Sequence, residues 1–329
     1  MTDTALKGGS QQPVEPAALE DVPGWFWDHD RHSFDWFLGR QEKKGVTGDL
    51  LEMGAYLGRS AIVIGEHLQP GETFTVCDLF DSDAPDNENS EEMAVSYRKT
   101  LTRSAFESNY LSFHDELPEI IQAPTSVLAG GRIPAGAFRF IHIDASHLYE
   151  HVVGDLQVAR IALQPKGVVV LDDYRSQHTP GVAAATWEAV FNHGLKPILL
   201  TECKFYGTWG DPEPFQRELL DRVDLAAGCH LSAETLNGQQ LLRMTGDSEG
   251  IRPFRPSRHQ KRLASAAATR SAEEGRQAIG IAQDEVALDL AARRARAAEA
   301  RRPANVAKRA ARDLLPPVVT SAIRRARRG

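Results

Sequence analysis

The stretch from Asp49 to Ser60 constrains this chain more than any other. It reads Asp-Leu-Leu-Glu-Met-Gly-Ala-Tyr-Leu-Gly-Arg-Ser: a short apolar strand, a glycine-bearing turn that carries an acid, and a helix opened by Ser60. A parallel α/β sheet builds a pocket for a nucleoside-bearing ligand in this way. Gly54 and Gly58 let the backbone approach the ligand, and the helix start offers free N–H groups. Glu52 argues against a dinucleotide such as NAD, because its carboxylate stands where a pyrophosphate would sit; a cationic ligand is favoured instead. The glycine spacing also departs from both the GxGxxG fingerprint and the phosphate loop.

From Gly48 to about Thr245, strand-like and helix-like segments alternate. The pattern predicts strands near 49–53, 73–78, 119–123, 138–143, 167–171, 197–202 and 239–244. Helices are expected near 59–68, 91–111, 149–163, 181–193 and 213–225. Alternation of this kind implies an α/β fold, a doubly wound, mostly parallel sheet of seven strands with right-handed crossovers. Such sheets bind ligands at the carboxyl ends of their strands, and acids cluster there: Glu52, Asp78, Asp144, and the pair Asp172-Asp173.

At 329 residues, 42% of them hydrophobic, the chain can bury one large core plus appendages. Three scattered cysteines form no CxxC pair, which suits a reducing compartment and speaks against a disulfide framework or a zinc site. Without a long apolar run or a leader-like start, a cytoplasmic location is expected. Residues 1–20 read as a disordered arm. Residues 21–47 hold Trp25, Phe26, Trp27, Phe34, Trp36 and Phe37, read as a pair of short helices packing on the core or as a lid over an organic substrate. The loop from Asp81 to Glu92 is acidic, but without the calcium-loop pattern it reads as solvated surface.

Charge divides the chain. From Ile251 onward there are 19 Lys/Arg against 7 Asp/Glu, whereas the whole chain carries 38 against 45. An acidic body, whose core domain is expected over 48–250, therefore precedes a basic, Ala/Arg-rich helical tail over 251–329. Basic and apolar residues mix from Asn305 to Arg328, which reads as attachment to an anionic membrane surface, peripheral to the inner face. A solvated or homo-oligomerising helix is the alternative.

Four segments carry a family resemblance, spanning roughly residues 48–211: Leu51 to Ser60; Phe74-Thr75-Val76-Cys77-Asp78; Phe140 to Glu150 (Phe-Ile-His-Ile-Asp-Ala-Ser-His-Leu-Tyr-Glu); and Leu163 to Tyr174 (Leu-Gln-Pro-Lys-Gly-Val-Val-Val-Leu-Asp-Asp-Tyr). Together they resemble class I S-adenosylmethionine (AdoMet)-dependent methyltransferases with a Rossmann-like fold. Within that class they look like the metal-dependent small-molecule O-methyltransferases, which include catechol and antibiotic-sugar enzymes. Lys166 stands where the family usually has Gly. The resemblance implies that Glu52 and the Gly54 turn hold the methionine end of AdoMet and that Ser126 touches adenine. It places Ser60 at the start of the cofactor-binding helix. Asp78 is placed for the ribose hydroxyls, as acids after a second strand are in nucleoside-binding sheets.

Asp144, Asp172 and Asp173 would repel one another unless a cation neutralises them, and all-oxygen ligation points to Mg²⁺ or a similar hard ion. Asp144 is also placed to touch the methionine amine. His147 matches the position where the catechol enzymes have a lysine base. An imidazole there could take the proton of an acceptor hydroxyl, or else cap the following helix or add a ligand. His142 points to the other side of its strand and reads as structural; His178 is a weaker candidate for substrate or metal contact. The expected activity is Mg²⁺-dependent O-methylation of a sugar or secondary-metabolite-like hydroxyl. One rival is a metal-independent N- or O-methyltransferase whose acids bind a cationic substrate. Another is a nucleic-acid-associated protein using the basic tail, against which the acidic body argues.

Overall fold

The computed structural model describes residues 15–96, 100–221, 228–246 and 248–314. Its strands are β1 (Asp49–Met53), β2 (Phe74–Asp78), β3 (Glu119–Gln122), β4 (Phe138–Ile143), β5 (Leu163–Leu171), β6 (Lys196–Leu200), β7 (Phe205–Thr208), β8 (Cys229–Leu236) and β9 (Gln239–Gly246). The helices are α1 (Asp28–Lys43), α2 (Arg59–Gly65), α3 (Asn87–Ser96), α4 (Arg103–Leu111), α5 (Tyr149–Ala162), α6 (Pro180–Asn192), α7 (Glu213–Asp221), α8 (Arg258–Ala300) and α9 (Pro303–Asp313).

One nine-stranded sheet runs in the order β3-β2-β1-β4-β5-β7-β6-β9-β8. Its first five strands are parallel, as expected. β7 is antiparallel to both neighbours, and β8 and β9 form an antiparallel pair. The expected seven strands are therefore corrected to nine among the described residues. β7 was missed because it is four residues long with a glycine inside it, and β8 because its side chains are largely exposed and polar, so neither offers an apolar run. The helix expected over 91–111 is two: Thr102 Oγ1 accepts from Ala105 N at 3.2 Å and starts α4 afresh, a hydroxyl cap of the usual kind.

Alternate residues of the central strands feed two apolar layers. Leu50, Val76, Phe140 and Val168 join one; Leu51, Cys77, Ile141 and Val169 join the other. The aromatic segment forms the single helix α1, not two short ones. Phe34 and Phe37 are fully buried against Phe140 and Tyr206, each such burial contributing about 1.5–3 kcal/mol. At the amino end of the strands, buried Arg139 joins α1 to the turn before β2 by a two-pronged bond to Glu72 and a bond to Gln41. Pro16 and Leu19 are also buried, so the expected disordered arm fails over 15–20; its earlier part lies outside the described residues.

A second compact unit runs from Arg262. It comprises most of α8, which has no buried residue, and α9. Over its described residues the expected helical tail is formed by α8 and α9. The membrane-attachment expectation falls largely on residues beyond 314, outside the described residues. No described helix is long and apolar enough to cross a membrane.

Candidate active site

Strand order reverses between β1 and β4, whose carboxyl ends open a crevice. Backbone bonds hold the rim: Gly54 N donates to Cys77 O, Asp144 N to Met53 O and Asp172 N to Ile143 O. Gly54 has φ +79°, and a Cβ there would overlap the Asp144 carbonyl, so only glycine lets the two loops meet. The crevice is a cavity of about 560 Å³ lined by Gly54, Asp78, Ser126, Asp144 and His147, among others. Five of the expected site residues therefore share one space.

Asp78 is buried. Its Oδ2 accepts from Ala55 N at 2.7 Å and Tyr56 N at 3.1 Å, and its Oδ1 from Phe80 N at 2.6 Å. Burial raises its pKa and these three donors lower it, the balance lying above the usual carboxylate range. It thereby shapes the glycine turn as well as facing the cavity, and Tyr56 is held there at φ +48°. Trp25 lies 5.4 Å from the Tyr56 ring, and both line the cavity. Thus α1 packs on the core, while Trp25, just before it, lines the crevice.

Glu52 and Ser60 lie elsewhere. Both are buried and absent from the cavity wall. Burial pushes Glu52 up to about 8, against the opposing effects of the Ser60 hydroxyl and Lys204. Its Oε1 is 2.7 Å from Nδ1 of His142, and Nε2 of His142 is 3.1 Å from Nζ of Lys204. An ammonium only donates, so Nε2 accepts and Nδ1 carries the proton given to Glu52. Burial, then the Lys204 charge, holds His142 well below the usual imidazole range, consistent with that neutral tautomer. His142 is thus structural as expected, but as a link between Glu52 and Lys204.

Lys204, in the β6–β7 loop, is the main residue the sequence reading missed. Its Nζ lies 2.7 Å from Asp172 Oδ2, with both side chains buried. The Asp172, Asp144 and Asp30 carboxylates outweigh burial and raise its pKa. Asp30 of α1 in turn accepts from Thr201 Oγ1 at 2.7 Å and Tyr206 Oη at 2.9 Å. Burial, then Asp172, pushes Asp144 well above the usual carboxylate range.

The expected metal triad is not assembled as three ligands. Ligand atoms of His142, Asp144 and Asp172 lie within 4.8 Å of one another, but Asp173 is not in that group among the described residues. Asp173, at φ +54°, accepts from Ser176 Oγ and places Oδ2 3.6 Å from His147 Nε2. Both nitrogens of His142 are engaged, and both oxygens of Asp172 are as well, Oδ1 with Asp173 N at 2.9 Å. As it stands this donor set does not fit a divalent ion, because an ammonium already sits on its central carboxylate. The rings of His178 and His147 are 6.3 Å apart.

A second acid was also missed. Asp155 of α5 is buried on the cavity wall and pushed up to about 7 by burial. Its Oδ2 has no hydrogen-bond partner among the described residues. An orphaned buried oxygen fits a ligand bearing amino or hydroxyl donors, such as a nucleoside. The signal was available: Asp155 interrupts the stripe Val152, Leu156, Ala159, which α5 buries.

The sequence model of a family described as a methyltransferase domain matches residues 51–174. No curated protein matches the chain. Among solved structures, it is similar to the O-methyltransferase NovP at 18% identity, covering 55% of this chain and 79% of that one, with a TM-score of 0.44. It is also similar to PaMTH1 of Podospora anserina, bound to SAH, at 15% identity over 59% and 86% (TM-score 0.39). An O-methyltransferase from Bacillus cereus in complex with SAH gives 15% over 54% and 80% (TM-score 0.36).

Proposed function

A methyltransferase by its domain over residues 51–174, the chain is, we propose, an AdoMet-dependent O-methyltransferase of a small hydroxylated molecule, of the sugar or secondary-metabolite kind. One observation carries the reading: a single cavity holds nucleoside-suited groups, Asp78, Ser126 and the orphaned Asp155 oxygen, together with the imidazole of His147. A volume of about 560 Å³ is ordinary for a small-molecule site.

AdoMet, when bound, supplies a sulfonium methyl group for in-line displacement. The protein must then orient the acceptor and take its proton. His147 lines the cavity with the Asp173 carboxylate 3.6 Å from its Nε2, so that carboxylate would stabilise the imidazolium formed when a hydroxyl gives up its proton. Gly54, Asp78 and Ser126 would hold the cofactor from the ends of β1, β2 and β3. Glu52 and Ser60 would support that turn from below, and Asp144 would close the cavity floor.

The expected Mg²⁺ is the second reading, favoured by the closeness of Asp144 and Asp172; it requires Lys204 to withdraw. The cytoplasmic location, membrane attachment and oligomerisation stay proposals resting on the sequence. Transfer of labelled methyl from AdoMet into a metabolite extract of the source cell, with and without EDTA, tests the function. Label passing only to amines would overturn the O-methyl reading, and calorimetry showing no AdoMet binding would overturn the whole.

A further inference from the structure

We infer that Lys204 is the resident cation of the acidic cluster, its ammonium holding the charge position beside Asp172 and Asp144 that a divalent ion would otherwise fill. The protein binds no divalent ion there.

Lys204 is not a surface lysine that happens to reach inward. Its side chain is 1% exposed and enters from the turn between two buried strands. Two of its donors are accounted for by Asp172 Oδ2 at 2.7 Å and His142 Nε2 at 3.1 Å. The ring of Phe26 lies 5.5 Å from the same nitrogen, within cation–π range. The carboxylates of Asp30, Asp144 and Asp172 act on it from three elements: α1, the end of β4 and the end of β5. A charge taken this far out of water is tolerated only when paired and hydrogen-bonded, and here it is both.

The acids fit this arrangement from their side. Asp172 spends one oxygen on Lys204 and the other on the Asp173 amide. Asp173 turns away to Ser176 and His147. The group that would be a third metal ligand is instead the positioning partner of the proposed base. Since neither Lys204 nor Asp172 lines the cavity whereas Asp144 does, Lys204 reaches that space only through Asp144.

The test is a titration of the chelator-treated full chain with Mn²⁺, following free ion by electron paramagnetic resonance. The wild type should show no site lost on Asp172→Asn substitution. Lys204→Met leaves the acids uncompensated and should gain one site, roughly tenfold or more tighter than anything in the wild type, as expected when a competing positive charge is removed from beside oxygen ligands. Lys204→Arg, which keeps the cation, should gain none. One Mn²⁺ bound per wild-type chain and lost in Asp172→Asn would overturn the inference, and that measurement decides even if Lys204→Met fails to fold. Neither AdoMet nor acceptor is present, so this result and the methyl-transfer reading can fail independently.

Discussion

Nε2 of His147 lies 3.6 Å from Oδ2 of Asp173, so the second acid of the Asp172-Asp173 pair serves a histidine. Replacing His147 by Ala should lower kcat by roughly 10²–10⁴-fold, the range for a general base, and leave AdoMet affinity unchanged. Asp173→Asn should lower kcat less, with little change in the KM for AdoMet. Steady-state kinetics on the acceptor check both, and an undiminished kcat in His147→Ala would remove the base.

Asp78 has two tasks, holding three backbone amides and facing the cavity. Its replacement by Ala orphans those amides and removes charge-assisted bonds worth about 1.5–3 kcal/mol. AdoMet affinity should fall about 10- to 100-fold in calorimetry. Unchanged affinity would contradict the placement of the cofactor.

Gly54 meets the Asp144 carbonyl at a positive φ. Gly54→Ala combines overlap with backbone strain, and should destabilise the protein by at least about 2 kcal/mol in denaturant titration. Gly71, also at positive φ but with open space around it, is the control: alanine there should cost less.

Asp155 gives a pH signature. Its folded pKa, pushed up to about 7, lies above that of an unfolded aspartate. The folded state therefore binds the extra proton, and this contribution to stability is fully present below about pH 4 and lost as pH rises through about 7. Asp155→Asn should flatten the Tm–pH curve over that window and raise Tm at pH 8 by about 2–4 °C for each kcal/mol recovered. An unaltered curve would show that burial does not act on this acid.

Much of the parallel half of the sheet could be read from sequence because β1, β2, β4 and the apolar end of β5 are buried on both faces and so appear as short apolar runs. Asp78 and Asp144 mark the crevice for the same reason, each standing where such a run stops. What escaped reading depends on distance in sequence. Lys204 lies 32 positions after Asp172 and precedes a strand too short to announce itself; a lysine between two strands is ordinarily solvated. Asp173 is adjacent to Asp172 and so was grouped with it, but a left-handed backbone at Asp173 sends the two side chains to different partners.

β7 joins the sheet between β5 and β6, and this order governs how the site is completed during synthesis. The matched segment ends at residue 174, so the acids leave the ribosome well before their ammonium does. At synthesis rates of roughly 5–20 residues per second, Asp172 waits on the order of seconds for Lys204, beside a β5 edge not yet covered by β7. A fragment cut at 174 would keep that unfinished state permanently, with an uncompensated acid and an open strand edge prone to pair with other chains. The recognisable segment is therefore not a portable one.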